Sequence, residues 1–455
     1  MPMSIQTANS ATEEDRPVDP RKSLKILVSA FAASPDRGSE YAVGWEWIRS
    51  IGAQHHVWAI TMEASRGEIE EYIRRHPTEL SNVSFHYIPY TRSSQQGPLW
   101  YFVHIPRYLL WQRRCFALAK ALDKQFDFDL VHQLTGTGFR EPGFLWKLGK
   151  PFVWGPMGGL HYFPVKFLRF LPLTSALFVL AKNLTTAWMM HLATRPRRAA
   201  KASAAIIAST SNTAVMVRDL WRKSSTILSP VTPPELEQLP PPQRAPGEPL
   251  QLVWCGRNDP FKALKLLLFA LQKLREISTD SIRWKLTVVG TGIMEGECIR
   301  LARDCGISQH CKFAGRVPRN QALTIMRTGH VFIHTSLFEL APTVIVEAMQ
   351  VGMPVVGLNH FGLADAIDDT CGILIPPMGV NRAIEGFAKA IWQLWDNENL
   401  RYNMALKAQE AARHVSWNIK VPALNALYEA LAYRSALTPS PDRTCGPRQL
   451  RTSRS

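Results

Sequence analysis

The sequence predicts an α/β protein of two domains, each a parallel sheet with helices on both faces. Three observations carry this. Short apolar runs alternate with amphipathic stretches through most of the chain, the pattern of parallel strands joined by crossover helices. A proline-rich stretch, PVTPPELEQLPPPQRAPGEP over residues 230–249, interrupts the alternation where neither a helix nor a central strand can form. The alternation then restarts with LQLVWCG, as the opening of a second unit would.

Taken in order, residues 24–31 read as a first buried strand, DRGSE as the loop after it and residues 41–52 as the first helix. Strands near 56–61, 83–89, 129–133, 151–155 and 204–208 complete an N-terminal Rossmann-like domain over residues 22–229. The proline-rich stretch is the linker. Beyond it LQLVWCG and strands near 285–289, 311–314, 331–334, 354–357 and 371–375 build a second Rossmann-like domain over residues 250–416. Helices near 379–396, 398–413 and 418–433 close the chain, and pattern alone makes the last of them an amphipathic helix. The polar, acidic residues 1–21 and the residues 435–455, rich in Pro, Ser and Arg, read as disordered tails.

A chain of 455 residues is long for one core and sufficient for two, and 46% hydrophobic with 20% charged residues is a globular composition. The seven cysteines are scattered, odd in number and without CxxC spacing, which favours a reducing compartment and argues against zinc. MPMSIQTANSATEEDRPVDP lacks a basic region followed by an apolar one, so it is not a signal peptide and a cytoplasmic location is expected. The net charge of +16 has no zinc finger, basic zipper, RRM or KH signature to place it on a base-reading element, so nucleic acid is not the expected partner. Anionic substrates and an anionic membrane surface suit it better, because cations cluster beside apolar runs.

Four charged residues carry the chemistry. Arg257 and Lys262 stand in WCGRNDPFKALKLLL, where a strand turns into a helix at the ligand-binding end of a parallel sheet. Glu339 and Glu347 bracket SLFELAPTVIVEAM, a loop running into a helix with Pro342 and Thr343 at its start, so backbone N–H groups there point at an anion. Two cations and a helix N-terminus suit a diphosphate leaving group. Two carboxylates suit the hydroxyls of a ribose and a sugar, and the combination reads as a sugar-nucleotide site. The alternative for each is bland: solvated surface cations, a loop carboxylate, and for Glu347 a first-turn carboxylate offsetting the helix dipole.

With these residues, LKILVSAFAASPDRGSEYAVGWEW, DLVHQLTGTGFR, PFVWGPMGGLHYFP, KLTVVGTG, CKFAGRVPRNQ and SLFELAPTVIVEAMQVGMPVVGLNHFGLADAI occur in an order and spacing that resemble the retaining glycosyltransferases of family 4. The resemblance implies the GT-B fold, two Rossmann-like domains facing across a cleft, with the C-terminal helix, residues 417–434, crossing back to the N-terminal domain. It implies Arg257 and Lys262 on the donor diphosphate, Glu347 on the ribose, and Glu339 facing the donor sugar. Thr343, Val344 and Arg316 join the donor-binding set. Gly38 and Ser39, in the loop after the first strand, face the diphosphate, with Glu40, Gly158, Gly159 and His161 on the acceptor side. His132, ending DLVHQ, is the catalytic candidate that approaches the reacting sugar, against the commoner fate of a satisfied structural histidine. Two departures stand out: Ala263 replaces a glycine after the lysine, and Leu340 and Ala341 replace a glycine after the first glutamate.

GTGIMEG suggests a rival, a dinucleotide-binding dehydrogenase, but its spacing is GxGxxxG and the strand CKFAGRV ends without an acidic residue. It reads as a donor-side loop. The expected reaction is transfer of a sugar from a nucleotide-diphosphate sugar to a saccharide or lipid-linked acceptor, with retention implied by the resemblance, no cofactor and no metal, since no Asp-x-Asp motif lies in a suitable loop. A GT-B epimerase and a non-catalytic sugar-nucleotide scaffold are the alternatives. Residues 165–198 mix apolar runs with basic flanks, but Pro172, Lys182 and Asn183 interrupt any membrane span. They suggest either packing within the N-terminal domain or peripheral contact with an anionic membrane.

Overall fold

The computed structural model describes residues 23–38, 40–90, 99–135, 138–231, 236–278, 282–339 and 343–437. Residues 1–21 of the expected N-terminal tail and 438–455 of the expected C-terminal tail lie outside them, as do Ser39, Leu340, Ala341 and Pro342, whereas residues 435–437, expected in the tail, end the last helix.

The N-terminal domain runs β1 (Lys25–Ser29), α1 (Glu40–Gly52), β2 (His56–Met62), α2 (Arg66–Arg75), β3 (Val83–Ile88), α3 (Leu99–Phe126), β4 (Leu130–Gln133), β5 (Phe152–Met157), α4 (Leu173–His191), α5 (Thr194–Ala202), β6 (Ser203–Ala208), α6 (Ser211–Trp221) and β7 (Thr226–Ile227). Its seven strands are all parallel, in the order β3-β2-β1-β4-β5-β6-β7. The strands β1, β4 and β5 are buried on both faces, which explains their continuous apolar runs. Helix α1 packs tightly on the loop after β1, and Gly44 permits it: a Cβ there would sit 1.9 Å from the Ala32 carbonyl oxygen.

The C-terminal domain runs β8 (Leu250–Cys255), α7 (Leu264–Ser278), β9 (Trp284–Val289), α8 (Glu295–Asp304), β10 (Cys311–Gly315), α9 (Arg319–Arg327), β11 (Val331–His334), α10 (Thr343–Gln350), β12 (Val355–Leu358), α11 (Leu363–Ala366), β13 (Gly372–Ile375), α12 (Val380–Asp396) and α13 (Glu398–Arg413). Its parallel sheet has the order β10-β9-β8-β11-β12-β13. In both sheets the strand order reverses at the centre, between β1 and β4 and between β8 and β11. Crevices for ligands open beyond the strand ends at such switch points.

Three segments tie the domains together. The proline-rich linker is strapped to the C-terminal domain: Arg244 binds the Glu398 carboxylate through its backbone N–H and Nε at 3.1 and 3.2 Å, and Arg401 donates to the Pro242 carbonyl at 2.8 Å. Helix α14 (Trp417–Leu437) crosses back, burying Leu424, Tyr428 and Leu431 in the N-terminal core with Trp47, Ile48 and Ile51 of α1. The third tie was not foreseen. A 3₁₀ turn over Val165–Phe170 and the start of α4 belong to the N-terminal chain, yet Phe163, Phe167, Leu171 and Val179 are buried in the core of the C-terminal domain with Leu264 and Leu268. Packing within the N-terminal domain, one of the two readings offered for residues 165–198, is therefore corrected for the part up to Val179, while Met190 does lie in the N-terminal core.

Candidate functional site

The loop after β8 is organised by Asp259, whose Oδ1 accepts the backbone N–H groups of Phe261 and Lys262 at 2.9 and 3.0 Å. This turn carries Lys262 toward the loop after β11. There the two loops are stitched together: Thr335 Oγ1 donates to the Lys262 carbonyl at 2.6 Å and Leu337 N–H to the Phe261 carbonyl at 2.7 Å. Ala263 adopts φ 50°, the left-handed conformation that glycine takes without strain, so the turn forms despite the substituted residue. Behind the loop, a Cβ on Gly292 would meet the Asn258 carbonyl oxygen at 2.1 Å, and one on Gly290 the Gly256 carbonyl at 2.0 Å. The GTG glycines thus serve close packing of one loop on another.

Lys262 Nζ and Glu339 Oε2 form an ion pair, joining two of the four residues singled out from the sequence. His334 Nε2 stands 3.7 Å from the same carboxylate oxygen. Burial and the neighbouring Lys262 push His334 well below its usual pKa, so it is neutral and this contact is not ionic. Arg257 is held at the rim instead, its Nε 2.7 Å from Asp259 Oδ2 and its side chain 77% exposed. Glu347 lies in the second turn of α10, which corrects its first-turn placement, and is 8% exposed. Its Oε1 accepts Arg319 Nε at 2.8 Å. Arg319 and Asp259 had no distinguishing sequence signal: one is a charged residue opening α9 and the other a charged residue in a polar turn. Thr343 and Val344 are the first residues of α10, and Arg316 is an exposed residue just past β10.

The N-terminal side differs more. Gly38 is exposed, with open space where a Cβ would lie, and Glu40 begins α1, exposed. Gly158 pairs in a bridge with Gly138, and Gly159 takes φ 86° beside Arg140. His161 lies at the domain interface, 5.1 Å from Phe338 and 4.4 Å from Phe361, ring centre to ring centre. His132 must be corrected. It is wholly buried, its Nε2 bonded to the Gly155 carbonyl at 2.7 Å and its Nδ1 to the Tyr428 hydroxyl at 2.7 Å. A carbonyl only accepts, so Nε2 carries the proton, and Nδ1 accepts from the tyrosine. Burial lowers its pKa to about 4, and no ring nitrogen is left for a substrate.

Among the described residues, no three His, Cys, Asp or Glu side chains gather as a metal site, and no helix is long and apolar enough to cross a membrane. Two parallel-sheet domains, with a last helix that crosses back to the first, define a GT-B architecture. Solved GT-B proteins share it: the lipopolysaccharide outer core galactosyltransferase WaaB superposes with a TM-score of 0.60 at 14% identity, covering 90% of this chain and 99% of that one. HepE of Anabaena, solved with UDP, gives 0.54 at 14% identity, covering 91% and 100%. Residues 237–411 match the family described as glycosyl transferases group 1, so the chain carries a domain of that group. The D-inositol 3-phosphate glycosyltransferase of Kribbella flavida is 30% identical over 193 residues, 41% of this chain and 43% of that protein. The chain spans less than half the length of the curated relatives it matches.

Proposed function

We propose that this protein transfers a sugar from a nucleoside-diphosphate sugar to an acceptor hydroxyl, with retention and without a divalent metal, in the making of a cell-surface polysaccharide or glycolipid. The observation that carries the reading is the Lys262–Glu339 pair at the central switch point of the donor domain. In the empty protein each neutralises the other. A diphosphate competes for Lys262, releasing Glu339 to accept hydrogen bonds from the sugar. As the bond from the anomeric carbon to the diphosphate breaks, its electron pair leaves on the phosphate oxygen. Lys262, the N–H groups at Thr343 and Val344, and Arg257, on leaving Asp259, would stabilise that charge.

WaaB, by its name, acts in lipopolysaccharide assembly, and HepE binds UDP; both agree with this reading. The exposed apolar side of α4, described below, supports peripheral attachment to the cytoplasmic face of an anionic membrane. A thermal-shift screen with UDP-, GDP- and ADP-sugars tests the donor. A ligand at 100 times its Kd should add about 2.7 kcal/mol to stability. No shift with any of the three, and no nucleotide released from them, would remove the proposal.

A further inference from the structure

Phe338, next to Glu339, is covered from the opposite domain. Lys182 of α4 places Nζ 3.6 Å from the centre of its ring, and His161 flanks it. Among the described residues the Lys182 ammonium has no carboxylate or other hydrogen-bond acceptor, only this ring. Beside it Arg140 bonds through Nη2 to Thr186 Oγ1, one turn along the same helix. His161 Nε2, His360 Nδ1 and Ser336 Oγ are buried without a partner. Burial first, then Arg140, lowers Lys182 to about pKa 8, and burial first, then Lys182 and Arg140, lowers His161 to about 3. The adjoining carboxylate, Glu339, is already committed to Lys262.

A half-buried ammonium beside a guanidinium loses hydration, and a ring face returns only part of it. Orphaned imidazole and hydroxyl groups add to that cost. An anion seated between Lys182, Arg140 and His161 would satisfy the cation and an orphan together. We propose that this cluster is a second anion site, distinct from the Lys262 end, taking a carboxylate or phosphate group carried by the substrate; this rests on the sugar-transfer reading. The group belongs either to the acceptor or to the transferred sugar.

The test uses wild type, Lys182→Met, which keeps the stem on Phe338, and Lys182→Arg. Calorimetric titration with UDP should give the same affinity in all three. Inorganic phosphate added to the UDP-saturated protein should then bind in one equivalent, about tenfold or more weaker in Lys182→Met, the worth of one charge-assisted hydrogen bond, and recover in Lys182→Arg. Tighter binding of UDP-glucuronate than of UDP-glucose, abolished by Lys182→Met, would put the anion on the transferred sugar. Equal binding of the two donors, with the phosphate result intact, would put it on the acceptor. Phosphate that does not bind the loaded wild type, or binds Lys182→Met equally, overturns the site, as does a loss of UDP affinity in Lys182→Met. Failure of UDP, GDP and ADP to bind wild type counts against sugar transfer, while phosphate titrated into the free protein still decides the cluster.

Discussion

Lys262 and Glu339 neutralise one another in the empty protein, and on the proposed reading Glu339 holds the place that the donor phosphate would take. Replacing Lys262 by Met should lower turnover by about two to three orders of magnitude, the usual loss for one preorganised donor on a leaving group, while folding stays intact. Wild-type turnover in the purified variant would end the assignment. The types and spacing of Arg257, Lys262 and Glu339 were legible because strand-to-loop boundaries in a parallel α/β pattern say which side chains emerge at the ligand end. Arg319 was not legible, because only the folded chain brings α9 beside Glu347. His132 was misread for a related reason. In LVHQ all four residues are buried, so the alternation that would tell a cleft-facing side chain from a core-facing one is lost.

At the level of the element, α4 shows how one apolar run can serve two environments. Leu173, Leu177, Leu184 and Trp188 stand four, seven and four residues apart, close to whole helical turns, and are 75%, 57%, 73% and 58% exposed. Val179, Thr186 and Met190 occupy the other side and are buried. Sequence composition merged these two faces into one apolar segment, whereas the helical period separates them. Lys166, Arg169, Arg197 and Arg198 flank the exposed stripe in sequence; Arg195, which composition places among them, is held inside by Glu141 and Gln112 at 3.0 and 2.9 Å. The protein should therefore sediment with anionic vesicles at low salt and detach as salt rises, since headgroup attraction is screened within a Debye length. Neutralising those four cations together, or replacing Leu177, Leu184 and Trp188 by Ser, should abolish sedimentation. Its persistence in both variants, or its absence from wild type at low salt, would show that the stripe does not meet lipid.

Across the whole molecule, the chain passes between domains where Lys420 of α14, 4% exposed, donates to the carbonyl of Val231. Burial pulls its pKa down to about 7. The unfolded chain keeps that proton to about pH 10, so between these values the unfolded state binds more protons and stability rises with pH, by at most about 1.4 kcal/mol per unit. Below about pH 7 both states are protonated and the cost of the buried charge is constant. Urea denaturation from pH 7 to 9 should show this rise in wild type and a shallower one in Lys420→Met; equal slopes would mean that Lys420 is not desolvated. The two-sheet architecture was legible from strand and helix periods; the return of the last helix was legible only through the family resemblance, since its pattern alone gave an amphipathic helix. The passage of Phe163, Phe167, Leu171 and Val179 into the other domain's core was not, because buried apolar residues carry no mark of which core they fill. Exchanging C-terminal domains between relatives by cutting at the prolines would transplant the six-stranded sheet without these four side chains, leaving an open hydrophobic face on the graft and a stranded one on the host. The modular unit of this protein is thus set by where its side chains pack, and the graft would have to carry residues 160–180 with it.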